Sequence, residues 1–213
     1  MEDKRRLRFV KKVYLIMSTQ VAITVVFVAT MLAFFPTVIN YVAESDLIYL
    51  IMFGNLGLAI AIYFNTRKVP LNYYLLLAFT LVESMMLSVI CAQYTELSIV
   101  KCMMATAVVF AALTAHAATT TRKYNAFGGI IWVIFASILF MAFSHYFFRS
   151  PFMGILIEGG LSLLAGLYVL IDTQLILSKD GISVDDYVMG ALLIYTDLVQ
   201  LFIRLLRLFG DRK

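Results

Sequence analysis

Between Val13 and Phe35 the sequence carries no charged side chain, and the stretch is long enough to cross a hydrocarbon core as a helix. A core of ~30 Å takes about 20 apolar residues in that form. Similar runs recur at 47–64, 71–92, 98–118, 126–148, 152–177 and 187–209. In lipid every backbone N–H and C=O has to be bonded within the chain, so only helices or a closed barrel can span. Long continuous apolar runs read as helices. The expected fold is an all-α integral membrane protein of seven transmembrane helices over 13–213, preceded by a basic cytosolic segment at 1–12.

Composition supports this. The chain is 62% hydrophobic and only 14% charged, against about 25% charged in soluble domains. It cannot clothe a water-facing exterior, so its main partner is the lipid bilayer. The first apolar run ends in "FFPT" rather than the small residues of a cleavage site, and is expected to remain as a membrane helix. The net charge of +4 is divided among short clusters between the runs, a pattern that serves orientation and not nucleic-acid binding. Cys91 and Cys102 flank one short loop; they either pair on an oxidising side or, the favoured reading, pack as free thiols.

The breaks carry their own signals. Pro36, Pro70 and Pro151 fall between spans, where a missing N–H does least damage. Gly181 in "SKDGISVDDY" stops one helix, and Ser183 with Asp186 three residues on resembles a capping arrangement for the next. The N-terminal "MEDKRRLRFVKK" holds six Lys and Arg, and alternation puts Arg67, Lys68, Arg122, Lys123 and Lys179 on the same side. The other side has Lys101 and Arg149 with the acids Glu44, Asp46 and Glu96. The positive-inside rule then places the N-terminus in the cytosol. Arg212 and Lys213 break the pattern: a last full crossing leaves them outside, whereas a re-entrant segment within 152–209 returns them.

Charges inside spans cost at least ~2.5–3.5 kcal/mol each on insertion scales, unless paired or hydrated. Four acids qualify: Glu83, Glu158, Asp172 and Asp197. Asp172 lies roughly 8 Å back from the end of its helix and Asp197 about 15 Å into the next. Tilt absorbs that difference, so the two can meet in the cytosolic half. Two close carboxylates share a proton or bind a cation that cancels their repulsion. Their oxygen ligands suit a hard ion such as calcium. Arg67 is the candidate counter-ion for Asp172 at that level; its plainer reading is a solvated topology residue beside Lys68. Glu83 and Glu158 are candidates for an ion path, with a structural hydrogen bond as the alternative for Glu158. Arg204 and Arg207 read as snorkelling to the far interface.

The stretches "LRFVKKVYLIMSTQ", "FNTRKVPLNYYLLLAFTLVES", "AGLYVLIDTQLIL" and "DDYVMGALLIYTDLVQLFIRLLRLFG" resemble the transmembrane Bax-inhibitor motif family, within it the lifeguard type. The resemblance covers nearly the whole chain. It implies a seven-helix bundle with the last helix central, and a pH-sensitive calcium leak across an endomembrane (Golgi or endoplasmic reticulum) or a bacterial inner membrane. Eukaryotic members are also linked to suppression of cell death, which brings membrane proteins of cell-death or calcium-release pathways in as partners. On this resemblance the paired aspartates are Asp172 and Asp197, the latch arginine is Arg67, and the acid of the third span is Glu83. Calcium enters as a transported or transiently bound ion, with no tightly bound cofactor. The Pro- and Gly-rich arm of many lifeguard members does not precede this sequence, so recruitment through it is not expected.

Enzymatic activity is not expected either. An intramembrane aspartyl protease needs Gly-x-Gly-Asp around its second aspartate, and here that position reads "YTDL". A retinal protein needs a lysine in the last span, which has none. The alternative to a leak is a non-conducting regulator that binds partner membrane proteins.

Overall fold

A computed structural model of the chain describes residues 2–119, 151–178 and 181–213, with side chains over 4–118, 157–178 and 181–213. Helices account for nearly all of them: α1 (Glu2–Phe34), α2 (Pro36–Glu44), α3 (Leu47–Asn65), α4 (Leu71–Cys91), α5 (Glu96–Thr119), α6 (Pro151–Leu177) and α7 (Tyr187–Phe209). Among the described residues six helices are long and apolar enough to cross a membrane. Large apolar side chains such as Leu15, Val26, Leu50, Phe53, Phe64 and Met104 stay exposed, as a lipid-facing surface requires. The span expected at 126–148 lies outside the described residues, and the count of seven with it.

The chain divides into two compact units, Met1–Glu96 with Ile182–Tyr195 and Asp211–Lys213, and Leu97–Gly181 with Thr196–Gly210. In the first, α1 and α3 both pack along α4. Helix α4 buries Asn72, Leu76, Phe79, Thr80, Glu83, Ser84, Leu87 and Ser88. That three-to-four spacing forms one continuous stripe. Hydroxyl groups within the stripe satisfy one another across helices. Gln20 Nε2 donates to Thr80 Oγ1 at 3.0 Å, Ser84 Oγ to Thr24 Oγ1 at 3.1 Å, and Thr24 Oγ1 pairs with Tyr195 Oη at 2.8 Å. In the second unit α6 buries Leu161, Ala165, Val169, Asp172, Thr173 and Ile176 on one face. Cys91 and Cys102 are both buried and form no disulfide, as the packing reading expects.

Three features depart from the sequence reading. Helix α1 begins at Glu2, not Val13, because most of residues 2–12 are good helix formers and Arg6 and Phe9 are buried. Arg6 Nη1 donates to Ile182 O, and Phe9 and Val13 lie beside Gly190. Residues 36–44, expected as a loop, form α2 with Pro36 at its first position, where proline costs nothing. Its Ile39 and Val42 pack with Val89, Met31 and Met85. The cap of α7 falls on Asp186, not Ser183: Asp186 O accepts from Gly190 N at 3.1 Å, while Ser183 O closes the preceding turn on Asp186 N.

The ends of α7 are tied to the loops on either side of α4. At its start, Asp186 is bonded to Thr66 and Arg67, just ahead of α4. At its end, Thr95 N donates to Asp211 O and Lys213 N to Gln93 O, both 3.0 Å, just beyond α4. Arg212 lies over the ring of the buried Tyr94, 5.8 Å from its centroid. Both ends of α7 are thus tied to opposite ends of α4, and a straight 23-residue helix between them extends ~35 Å. The last apolar run is therefore one continuous helix, long enough for a hydrocarbon core. Arg6 and Lys12 reach Ile182 and Tyr187 at the same end as Arg67, so the basic clusters at 4–12 and 67–68 share one side.

Gly190 marks the closest approach of α7 to α1: a Cβ there would stand 3.0 Å from Val13 Cγ2 and 3.5 Å from Phe9 Cζ. Gly190→Leu should destabilise the protein by ~1–3 kcal/mol through overpacking, read as a lower Tm in detergent, whereas Gly54→Leu, with open space around it, should not. Equal Tm values for the two variants would contradict this packing.

Candidate ion and proton site

Asp172 is the fourth position of the buried face of α6, one turn beyond Val169 and one turn ahead of Ile176. Packing on that face orients it inward. Asp197 lies near mid-helix on α7. Within the second unit the two carboxyl groups come within hydrogen-bonding reach of each other, as the sequence reading expects. Carboxylate oxygens only accept, so the contact requires either a shared proton or a cation between them. Asp197 Oδ2 is buried without a hydrogen-bond partner.

One further group beside the pair was missed by the sequence reading. Tyr168, one helical turn before Asp172, interacts electrostatically with both carboxyls, and its hydroxyl is buried and unpartnered. Thr173 Oγ1 is buried and unpartnered as well. The i, i+4 spacing of Tyr168 and Asp172 was the signal available for the tyrosine. All these donors are oxygen, which suits a hard cation. Calcium takes 6–8 oxygen ligands, and the described residues hold no cluster of three or more acidic, His or Cys side chains. Two carboxyls and one phenol hydroxyl can pass a proton or a hydrated ion.

Arg67 departs from expectation. The anticipated partner was Asp172; the carboxylate found against the guanidinium is that of Asp186, in the first unit. Nε reaches Oδ1 at 2.7 Å and Nη2 reaches Oδ2 at 2.8 Å, a bidentate fork, with Thr66 Oγ1 also donating to Oδ1 at 3.2 Å. The "DD" before α7 put this acid five residues beyond the loop glycine, and reading it only as a helix cap concealed its charge. The bridge stands at the membrane edge with Arg67 64% exposed, so solvent screens it.

The Arg67 hydrogen bonds hold the Asp186 carboxyl below the usual carboxylate range, and Asp186 in turn raises Arg67 further. A depressed acid stabilises the folded state above the ordinary value of ~3.9, and that contribution is lost as pH falls through the lower folded value. The bridge therefore stays closed throughout the neutral range.

The other two intramembrane acids are held by partners. Asn55 Nδ2 donates to Glu83 Oε2. Glu158 lies 3.5 Å from Arg204 and 3.7 Å from Arg207, so these arginines pair within the second unit and do not simply snorkel. Tyr195, absent from the sequence reading, anchors the first unit through Thr24 and stacks edge-on with Phe79 at 6.3 Å.

The family described as inhibitor of apoptosis-promoting Bax1 matches residues 6–213. The chain belongs to the Bax-inhibitor family. Mouse protein lifeguard 4 is 32% identical over 203 residues, covering 95% of this chain and 84% of that protein. Human protein lifeguard 3 is 30% identical over 222 residues, 99% of this chain and 71% of that one. A vaccinia virus Golgi anti-apoptotic protein is 28% identical over 204 residues, 95% and 85% respectively. In this Bax-inhibitor chain the acid pair and the arginine bridge are separate devices, which a titration can distinguish. A ¹³C carboxyl titration should find Asp186 ionising below ~3.9 and returning towards it in Arg67→Gln. An unchanged Asp186 titration in that variant would dissolve the bridge.

Proposed function

We propose that this chain is a pH-sensitive calcium leak of an internal membrane, with Asp172 and Asp197 as its proton and cation sensor, and that it suppresses cell death by lowering stored calcium. One observation carries the reading: two carboxyls on different helices meet within the membrane, with oxygen atoms around them unspent. Such a pair is costly in lipid, and a purely structural contact between helices is more cheaply made by apolar packing. The cost is offset when a proton and a cation exchange at the pair. With the proton between them, the carboxyls hold α6 to α7 by a hydrogen bond. When it leaves, like charges repel until a cation arrives. Proton activity thereby sets both the helix contact and the affinity for calcium, which is the transported substrate.

The remaining acids serve this path indirectly: Glu83 and Glu158 line polar positions but are engaged by Asn55 and the arginines. Transport rather than chemical turnover is the activity, with no resident cofactor. The name of the viral relative supports a Golgi or neighbouring endomembrane location and a link to cell death.

Calcium flux into proteoliposomes containing the purified chain tests the reading. The wild type should leak calcium at a rate that follows pH. Asp172→Asn and Asp197→Asn keep a hydrogen bond but remove the exchange, so each should flatten the pH profile. A pH profile unchanged in both variants would remove the pair from the mechanism. No calcium flux from correctly folded wild type would favour a non-conducting regulator that binds other membrane proteins.

A further inference from the structure

Helix α1 has two opposite faces that run unbroken along its length. Arg6, Phe9, Val13, Met17, Gln20, Thr24 and Val28 are buried at spacings of three and four. Leu15, Ala22, Val26 and Ala29 are exposed on the other face, the one turned to lipid. Continued towards the N-terminus by the same spacing, that lipid-facing stripe becomes Lys11, Arg8 and Lys4, all exposed. We infer that Lys4, Arg8 and Lys11 form a binding stripe for anionic lipid headgroups on the side of the membrane that carries the basic clusters.

The geometry fits a headgroup layer. Lys11, Arg8 and Lys4 stand about 6, 10 and 16 Å beyond Leu15 along the helix axis. The polar layer is ~5–8 Å deep per leaflet, and long cationic side chains reach back towards it along their stems. A stripe that faces acyl chains at one level faces the headgroups of the same lipids one to three turns higher. The cations on the inward side are already engaged: Arg6 donates to Ile182 O, and Lys12 lies 3.2 Å from the centroid of the Tyr187 ring. The acids Glu2 and Asp3 precede the stripe and stand off its face by the same helical count. The fit is to a lipid, with acyl chain and anionic head bound by one helix face, and not to a soluble phosphate. Headgroup binding would hold the same helix segment that supports the loop before α7.

The full chain, purified in detergent, can be titrated with dioctanoyl phosphatidylserine, dioctanoyl phosphatidylcholine and inorganic phosphate by thermophoresis. The serine lipid should bind more tightly than the choline lipid, and the difference should shrink with added salt. Arg8→Gln with Lys11→Gln should weaken the serine lipid about fivefold for each cation removed. Arg5→Gln with Lys68→Gln removes the same charge from exposed positions off the stripe and should leave binding unchanged. Equal affinity of the wild type for the two lipids would overturn the inference without any variant. So would equal losses in both double variants, which indicate diffuse charge, or phosphate binding as tightly as the lipid. These readouts involve no ion flux, so their outcome is independent of the leak.

Discussion

A polar group inside a bilayer has no water to fall back on, and nearly every feature of this protein follows from that constraint. It makes the backbone helical, and it obliges each buried hydroxyl, amide and charge to find a partner on a neighbouring helix. The seam of Gln20, Thr24, Thr80, Ser84 and Tyr195 meets the obligation with hydroxyls and one amide, and in doing so fixes how α1, α4 and the start of α7 face one another. Glu83 meets it with Asn55, and Glu158 with two arginines. Unpartnered buried oxygen atoms remain at Asp197, Tyr168 and Thr173, and also at Tyr14, Gln20, Asn55 and Thr114, so the constraint is met only in part.

The electrostatics separate by depth. At the membrane edge, Arg67 and Asp186 form an exposed bidentate bridge whose acid is held ionised well into the acidic range. It clamps the loop before α7 to the loop before α4 under all neutral conditions. Deeper, Asp172 and Asp197 lie within hydrogen-bonding reach of each other, with Tyr168 close to both. A solvated bridge with a depressed acid is insensitive to small pH changes near neutrality. At the far end, backbone bonds from Asp211 and Lys213 to the loop after α4 complete the clamp, so α7 is held at both termini and free to adjust only in between.

Much of this was legible in the chain itself. Length of apolar run determined the helices, since a bilayer core admits no other reading of such segments. The cost of burying charge singled out Asp172 and Asp197, and helical rise placed them at compatible depths. The unbridged state of Cys91 and Cys102 and the sharing of one side by residues 4–12 and 67–68 were readable for the same reason: both depend on local composition and on alternation of spans. What the tertiary structure alone decided was partnership. Arg67 had two acids at suitable depth, and choosing Asp186 over Asp172 required the lateral position of each helix, which hydropathy does not encode. Tyr168 and Tyr195 looked like filling because an aromatic ring is apolar until its hydroxyl is seen buried. The anchoring of both ends of α7 beside α4 came from terminal contacts with loops remote in sequence, which no charge pattern encodes. Depth in the membrane is a one-dimensional property and can be read from one dimension; pairing across it is not, and only packing supplies it.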